Sequence, residues 1–364
     1  MPTLYLTEDR ALVRRDTEDC LLVQIPEQRN PEGETLVAAC KRRIPLIKVE
    51  NVVVMGEVTL TSSALHMLLE KNIEIHFLNR LGQFKGRLSP ELTKNSLLRM
   101  AQHRAHNEPQ QRAEIARRFV VGKLSNQRTM LRRQQRRQST DTFIISIDRM
   151  SDIIQKLLLL SPEEEIAPTR VSGDNGISGT QLESILGFEG AGSALYFHCF
   201  SDMLVEPESW SFHGRVKRPP TDPVNALLSY GYALLTSQVS SAVQQVGFDP
   251  YIGYLHSSFY GRPALALDIM EEFRPIIVDS VVLSLLNRHM LTPKDFQEEL
   301  GTYRLKKEPR KLFLTKFEER LNEEITHPIF GYKTKYRRCI ELQARLLAKY
   351  LTGEIKEYPA LTIR

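Results

Sequence analysis

The chain predicts an α+β protein, with a small β-rich domain over residues 1–90 followed by a larger all-α domain over residues 91–364. Three observations carry this. Apolar residues alternate with period two through the first ninety positions, the spacing changes to three and four from about Leu92, and positive charge collects just after that change. Among 364 residues, 41% are hydrophobic and 26% charged, which is ordinary globular usage and excludes wholesale disorder and collagen-like architecture.

In order along the chain, TLYLTEDRALVRRD, CLLVQIP and IPLIKVENVVVMGEVTL read as strands. Residues 60–71 break the rhythm, because Thr61 or Ser62 can cap a helix on which Ala64, Leu65, Leu68 and Leu69 share a face. IEIHFL is a further strand, and LGQFKGRL reads as a tight hairpin turning at Gly82. From Leu92 the pattern is helical. Ile115, Ala116, Phe119, Val120 and Leu124 make an apolar stripe, and Phe143 to Leu160 makes the next. PEEEIAPTRVSGDNGISG reads as a long loop. Asp222 before Pro223 starts a helix running to Val246 and ending at Gly247, and another begins near Ala264 and bends at Pro275. The remaining third is expected to stay helical.

The longest strongly apolar run, Ile276 to Leu286, is broken by Asp279 and falls well short of the roughly 20 residues of a membrane span. With no apolar leader after Met1, a cytoplasmic protein is expected. Cys20, Cys40, Cys199 and Cys339 form no CxxC pair, so reduced thiols are expected rather than a disulfide framework or thiolate zinc site. Residues 80–138 carry 15 basic and 3 acidic side chains, net +12 of a total of +5, so the rest of the chain sums to −7. Such a segment suits phosphate neutralisation, although a solvated helix face is the blander alternative.

The sequence contains no GxSxG, no GxxxxGK[ST] and no HExxH. It offers oxygen and nitrogen ligands instead: Glu189 in LGFEGAGSALYF, His256 in YIGYLHSSFYGRP, and Asp268, Glu271 and Glu272 in LALDIMEEFRP. Carboxylates with imidazole suit Mg²⁺ or Mn²⁺. The acidic triplet falls at i, i+3 and i+4, which places three anions on one face unless a cation joins them, though such faces are commonly solvated. A lone His is more often structural, and small residues around Glu189 more often mean tight helix packing. Arg215, Lys217, Arg218, Arg262 and Arg274 flank the acidic group and are candidates for holding phosphates. Asp279, apolar on both sides, is expected to be a buried structural acceptor.

GEVTLTSSAL, FLNRLGQFKGRL, KLSNQRTMLRR, LGFEGAGSALYF, RPPTDPVNALLSYGYALL and the run from GFDPYIGYLH through YGRPALALDIMEEFRPIIVD together resemble the CRISPR-associated integrase, the metal-dependent endonuclease of spacer acquisition. The resemblance covers nearly the whole chain and is weakest in the 150s to 170s and the last thirty residues. It implies an amino-terminal β domain that dimerises, an α-helical catalytic domain, and Glu189, His256 and Asp268 as catalytic metal ligands. Glu271 would be an additional ligand or a group that supports the ligands without touching the metal. It implies a homodimer, a small ferredoxin-like adaptation subunit as partner, and double-stranded DNA as both spacer precursor and array. The expected reaction is attack of a captured fragment's 3′-OH on a phosphodiester at the leader–repeat boundary. A branched-DNA nuclease acting in repair, or a non-catalytic nucleic-acid scaffold, are the rival readings.

Overall fold

The computed structural model describes residues 3–29, 35–79, 82, 84–90, 95–138, 140–160, 181–216, 219–256 and 259–363. The chain divides into two compact units, Met1–Leu92 and Thr93–Arg364. Lys217, Arg218 and the whole of the long loop expected over residues 162–179 lie outside the described residues.

The first unit is β-rich. Its strands are β1 (Thr3–Leu6), β2 (Leu12–Thr17), β3 (Cys20–Ile25), β4 (Gln28–Arg29), β5 (Thr35–Val37), β6 (Cys40–Pro45), β7 (Asn51–Met55), β8 (Thr59–Leu60), β9 (Glu74–Leu78) and β10 (Phe84–Leu88), with helix α1 (Ser62–Glu70) before β9. One sheet has the order β1-β7-β9-β10, with β1, β7 and β9 parallel and β10 antiparallel. A second has the order β6-β3-β2-β8, and β4 pairs with β5. All five residues of the central strand β7 are buried, as a parallel strand flanked on both sides requires, so it reads as an apolar run rather than an alternation. Leu6, Val13, Leu21, Val52, Val54, Met67, Leu68 and Ile75 form the core between the sheets and α1. Thr61 caps α1, its hydroxyl accepting from the Ala64 N–H. The hairpin at Gly82 joins β9 to β10, so IEIHFL is its first strand; Gly82 has a φ of +76°, where glycine costs least.

The second unit is mostly helical: α2 (Ser96–Asn107), α3 (Pro109–Gln135), α4 (Asp141–Leu159), α5 (Gln181–His198), α6 (Pro223–Val246), α7 (Ala264–Phe273), α8 (Ser280–Asn287), α9 (Lys307–Asn322) and α10 (Tyr336–Leu351). The carboxy-terminal third is not all helix, because it carries two antiparallel pairs, β11 (Phe296–Glu299) with β12 (Thr302–Leu305) and β13 (Glu324–Thr326) with β14 (Lys333–Lys335). Their four- and three-residue strands are too short for a period-two signal to stand out. At 27 residues α3 is about 40 Å long, and it packs against α4, α5 and α7. Helix α6 starts on an Asp222 cap and ends at Gly247 in the left-handed conformation. After α7 the backbone passes through a π-helical segment, Arg274–Asp279, which contains Pro275, a residue without an N–H to donate. All four cysteines are free. Among the described residues no helix is long and apolar enough to cross a membrane.

Candidate active site

Helices α3, α5 and α7 and the loop before α7 bring the predicted groups together. Glu189 and Gly192 lie three residues apart on α5 and so share a face. A Cβ on Gly192 would stand 2.5 Å from Leu124 Cδ2, so the missing side chain lets α3 come close. Lys123, next to Leu124, thereby reaches Glu189, whose Oε1 accepts from the Lys123 ammonium and, at 3.0 Å, from the Ser193 hydroxyl.

The loop is held by Asp268, which is wholly buried. Its Oδ2 accepts from the N–H groups of Tyr254 at 2.5 Å and Leu255 at 3.0 Å, and its Oδ1 from the His256 N–H at 3.0 Å. The His256 ring completes the set, with Nδ1 2.7 Å from Asp268 Oδ1. A carboxylate already taking three amides can only accept there, which puts a proton on Nδ1 and turns Nε2 away from Asp268. Gly253 makes this fit possible, because a Cβ on it would lie 2.7 Å from both the Ala264 carbonyl carbon and Asp268 Oδ2.

Glu271, one turn after Asp268, faces the other side of the same imidazole, with Oε1 3.7 Å from His256 Nε2. It also pairs with Lys123 Nζ at 2.9 Å and Arg274 at 3.3 Å. Burial alone would raise the pKa of Glu271, but Arg274, Lys123 and His256 outweigh it and hold it at about 2. Burial also opposes charge on Lys123, yet Glu271 and Glu189 raise its pKa, so it remains an ammonium shared by two carboxylates.

The acidic triplet therefore does not act as one cluster. Glu272 turns away, its Oε1 accepting from the Tyr358 hydroxyl at 2.7 Å and its Oε2 from the Leu361 N–H at 2.8 Å and Gln343 at 2.9 Å. Burial pushes it up to about 8, against those three donors. Asp279 is the buried acceptor expected, taking the hydroxyls of Tyr232 at 2.6 Å and Tyr196 at 2.9 Å. Arg274 lies with its guanidinium carbon 4.8 Å from the centre of the Tyr232 ring. Arg215 is committed inside the fold, donating to Asn225 Oδ1 at 2.7 Å and Ser229 Oγ at 3.1 Å. Arg262 is half-buried beside Pro263, at the start of α7. Part of the basic segment is likewise internal: Arg117 and Arg118 both pair with Glu114, and Arg112 donates to the Tyr254 carbonyl at 3.0 Å.

Among the described residues, no three His, Cys, Asp or Glu side chains converge closely enough to hold an ion as they stand. The donor chemistry nevertheless suits a hard divalent cation, since two carboxylates already share a positive charge beside the imidazole edge that carries Nε2. Lys123 is the site residue that sequence reasoning passed over. Its signal was present, because it falls three residues after Val120 and four after Phe119, on the stripe that enters the core.

A family model described as CRISPR associated protein Cas1 matches residues 4–319. The chain belongs to the Cas1 family. This is the family of DNA endonucleases that serve as integrases in CRISPR adaptation. A CRISPR-associated endonuclease Cas1 of Thermus thermophilus is 39% identical over 320 residues, 88% of each chain. A fusion of CRISPR-associated exonuclease Cas4 with endonuclease Cas1 from Geobacter sulfurreducens is 38% identical over 365 residues, covering 99% of this Cas1-family chain and 60% of the longer fusion. The solved structure of a Cas1 protein from Thermotoga maritima superposes with a TM-score of 0.74 at 26% identity, over 97% of both chains.

Proposed function

We propose that this Cas1-family chain joins captured DNA fragments into a CRISPR array at the site built on His256, and that Glu189, His256 Nε2 and Glu271 are the groups that hold a divalent Mg²⁺ or Mn²⁺ ion there. The observation that carries the reading is the placement of His256 between two acids of one helix. Asp268 fixes Nδ1 while Nε2 looks toward Glu271. In the resemblance drawn from sequence, Asp268 is a ligand and Glu271 a group of unsettled role. The geometry favours exchanging them. Asp268 already accepts four donors, which uses the acceptor capacity of a carboxylate, whereas Glu271 is paired with the cationic side chains of Lys123 and Arg274, whose charge a metal ion would replace.

Asp268 then acts through His256, holding the ring in one orientation and one tautomer, as outer-shell carboxylates commonly do for metal-binding histidines. Lys123 and Arg274 keep Glu271 ionised. A bound ion would supply Lewis-acid polarisation of the scissile phosphodiester and stabilise the charge on the departing oxygen. The nucleophile belongs to the substrate: the fragment's 3′-OH attacks phosphorus as the strand oxygen leaves, one phosphodiester forming as another breaks, without ATP. Water in place of that hydroxyl gives hydrolysis from the same groups. Arg262 and the outward part of the basic segment would grip DNA phosphates, with Lys217 and Arg218 as further candidates from the sequence. A homodimer formed through the β-rich unit and a small ferredoxin-like partner complete the assembly implied by the resemblance.

The test is a joining assay with the purified chain, a labelled duplex bearing free 3′ ends and a supercoiled array plasmid, with and without Mg²⁺ or Mn²⁺ and with and without the small partner. Covalent transfer of label that needs the ion supports the reading, and cleavage without joining supports a nuclease instead.

A further inference from the structure

Nothing in the reading above uses the last residues of the chain, and the family match stops at residue 319. Those residues are nonetheless tied to the turn of α7 that carries Glu271. After α10 the backbone returns without regular structure, and residues 357–363 lie along α3 and α7. Glu357 pairs with Arg118 at 2.6 Å. Asn126, wholly buried on α3, donates to the carbonyls of Glu272 and Leu361, both at 2.8 Å, and accepts from the Ile363 N–H at 2.9 Å. Gln343 donates to Glu272 Oε2 at 2.9 Å and to the Pro359 carbonyl at 3.1 Å. Glu272 receives the Tyr358 hydroxyl and the Leu361 amide as well.

The steric fit is equally close. Gly122 faces both Glu272 and the strap, and a Cβ on it would lie 2.9 Å from Glu272 Cγ and 3.0 Å from Ala360 Cβ. Gly122 immediately precedes Lys123. One short stretch of α3 therefore contacts the strap through Gly122 and Asn126 and the acids of the site through Lys123.

We infer that the carboxy-terminal strap, residues 357–363, is a positioning element of the catalytic centre: by filling the acceptors of Glu272 and the amide of Asn126 it fixes the rotation of α7 and so the aim of Glu271 toward His256 Nε2. This rests on the proposed metal reading. A helix presents residues 271 and 272 about 100° apart, so an anchor on one sets the direction of the other. Buried acceptors that lose a donor are costly and re-pair by moving, which here means rotating α7.

The experiment compares the wild-type chain, Tyr358→Phe and a chain ending at Glu357, by calorimetric Mn²⁺ titration, DNA affinity and single-turnover joining, each well below its unfolding temperature. Tyr358→Phe keeps the ring against Phe119, whose centroid is 5.3 Å away, and removes only the hydroxyl. The expected result is Mn²⁺ affinity three- to tenfold weaker in Tyr358→Phe and more than tenfold weaker in the truncated chain, a joining rate reduced in step, and unchanged DNA affinity. Strap variants that bind Mn²⁺ and join DNA like the wild type would overturn the inference while leaving the metal reading standing. A wild-type chain that binds no Mn²⁺ would overturn both. Loss of metal affinity together with an equal loss of DNA affinity would mark the strap as general packing and overturn it too.

Discussion

His256 Nδ1 lies 2.7 Å from Asp268 Oδ1, and the same carboxylate takes the backbone N–H of His256 itself at 3.0 Å. One acid thus sets both the path of the loop and the tautomer of its ring. Asp268→Asn turns one acceptor into a donor, so an amide or the ring must lose its partner. We expect metal affinity and joining rate to fall about 10- to 100-fold, the range seen when a histidine's orienting partner is removed. Calorimetric Mn²⁺ titration and a joining time course check this, and an unaffected Asp268→Asn protein would remove Asp268 from the site's framework.

Gly253→Ala should injure function at the same loop by a purely steric route. The added methyl meets backbone at Ala264 and the anchor oxygen of Asp268, neither of which is a flexible side-chain end. A stability loss of about 1–3 kcal/mol is expected from the overpacking. The joining rate should fall further than that loss explains, because His256 is displaced. Urea unfolding beside single-turnover kinetics separates the two effects.

Lys123→Met leaves Glu189 and Glu271 facing each other without their shared ammonium. Breaking a buried ion pair from one side costs about 3–5 kcal/mol, and this variant should unfold at correspondingly lower temperature. Added Mn²⁺ should raise the unfolding temperature of Lys123→Met more than that of the wild type, since the ion replaces the lost charge. Equal Mn²⁺ shifts in the two proteins would argue against a common site for the two cations.

Asp279 gives a pH prediction. Burial, opposed by the hydroxyls of Tyr232 and Tyr196 and by Arg274, lifts it to about 6 from an ordinary 3.8. Below the ordinary value both folded and unfolded chains hold the proton; between the two values only the folded chain does, so stability falls as pH rises, and above about 6 the cost is constant. Asp279→Asn escapes that cost. The unfolding temperature of Asp279→Asn minus that of wild type should climb between pH 4 and 6 and then level off. A difference that is flat across this range would contradict the buried placement of an ionising Asp279.

The long-period features of the fold were legible because single residues with strong local preferences mark them. Asp222, Pro223 and Gly247 bound α6, Thr61 caps α1, and Pro275 sits where α-helix gives way to π-helix. The short strands β11 to β14 were not legible, since three or four residues carry too little pattern to compete with the helical signal around them. Within the site, sequence spacing brought Asp268, Glu271 and Glu272 onto neighbouring faces but could not say what each would meet. Their partners come from residues 123, 254–256 and 358–361, distant in sequence, and only tertiary packing separates the loop anchor, the candidate ligand and the strap anchor. Arg215 shows the same limit, because its guanidinium is spent on Asn225 and Ser229 rather than left for phosphate.

The most direct measurement is Mn²⁺ binding to purified Glu271→Gln, by calorimetry, in parallel with its affinity for duplex DNA. The account predicts at least a hundredfold loss of Mn²⁺ affinity and no detectable joining, with the fold and salt-sensitive DNA binding retained. Wild-type Mn²⁺ affinity and joining in Glu271→Gln would contradict it.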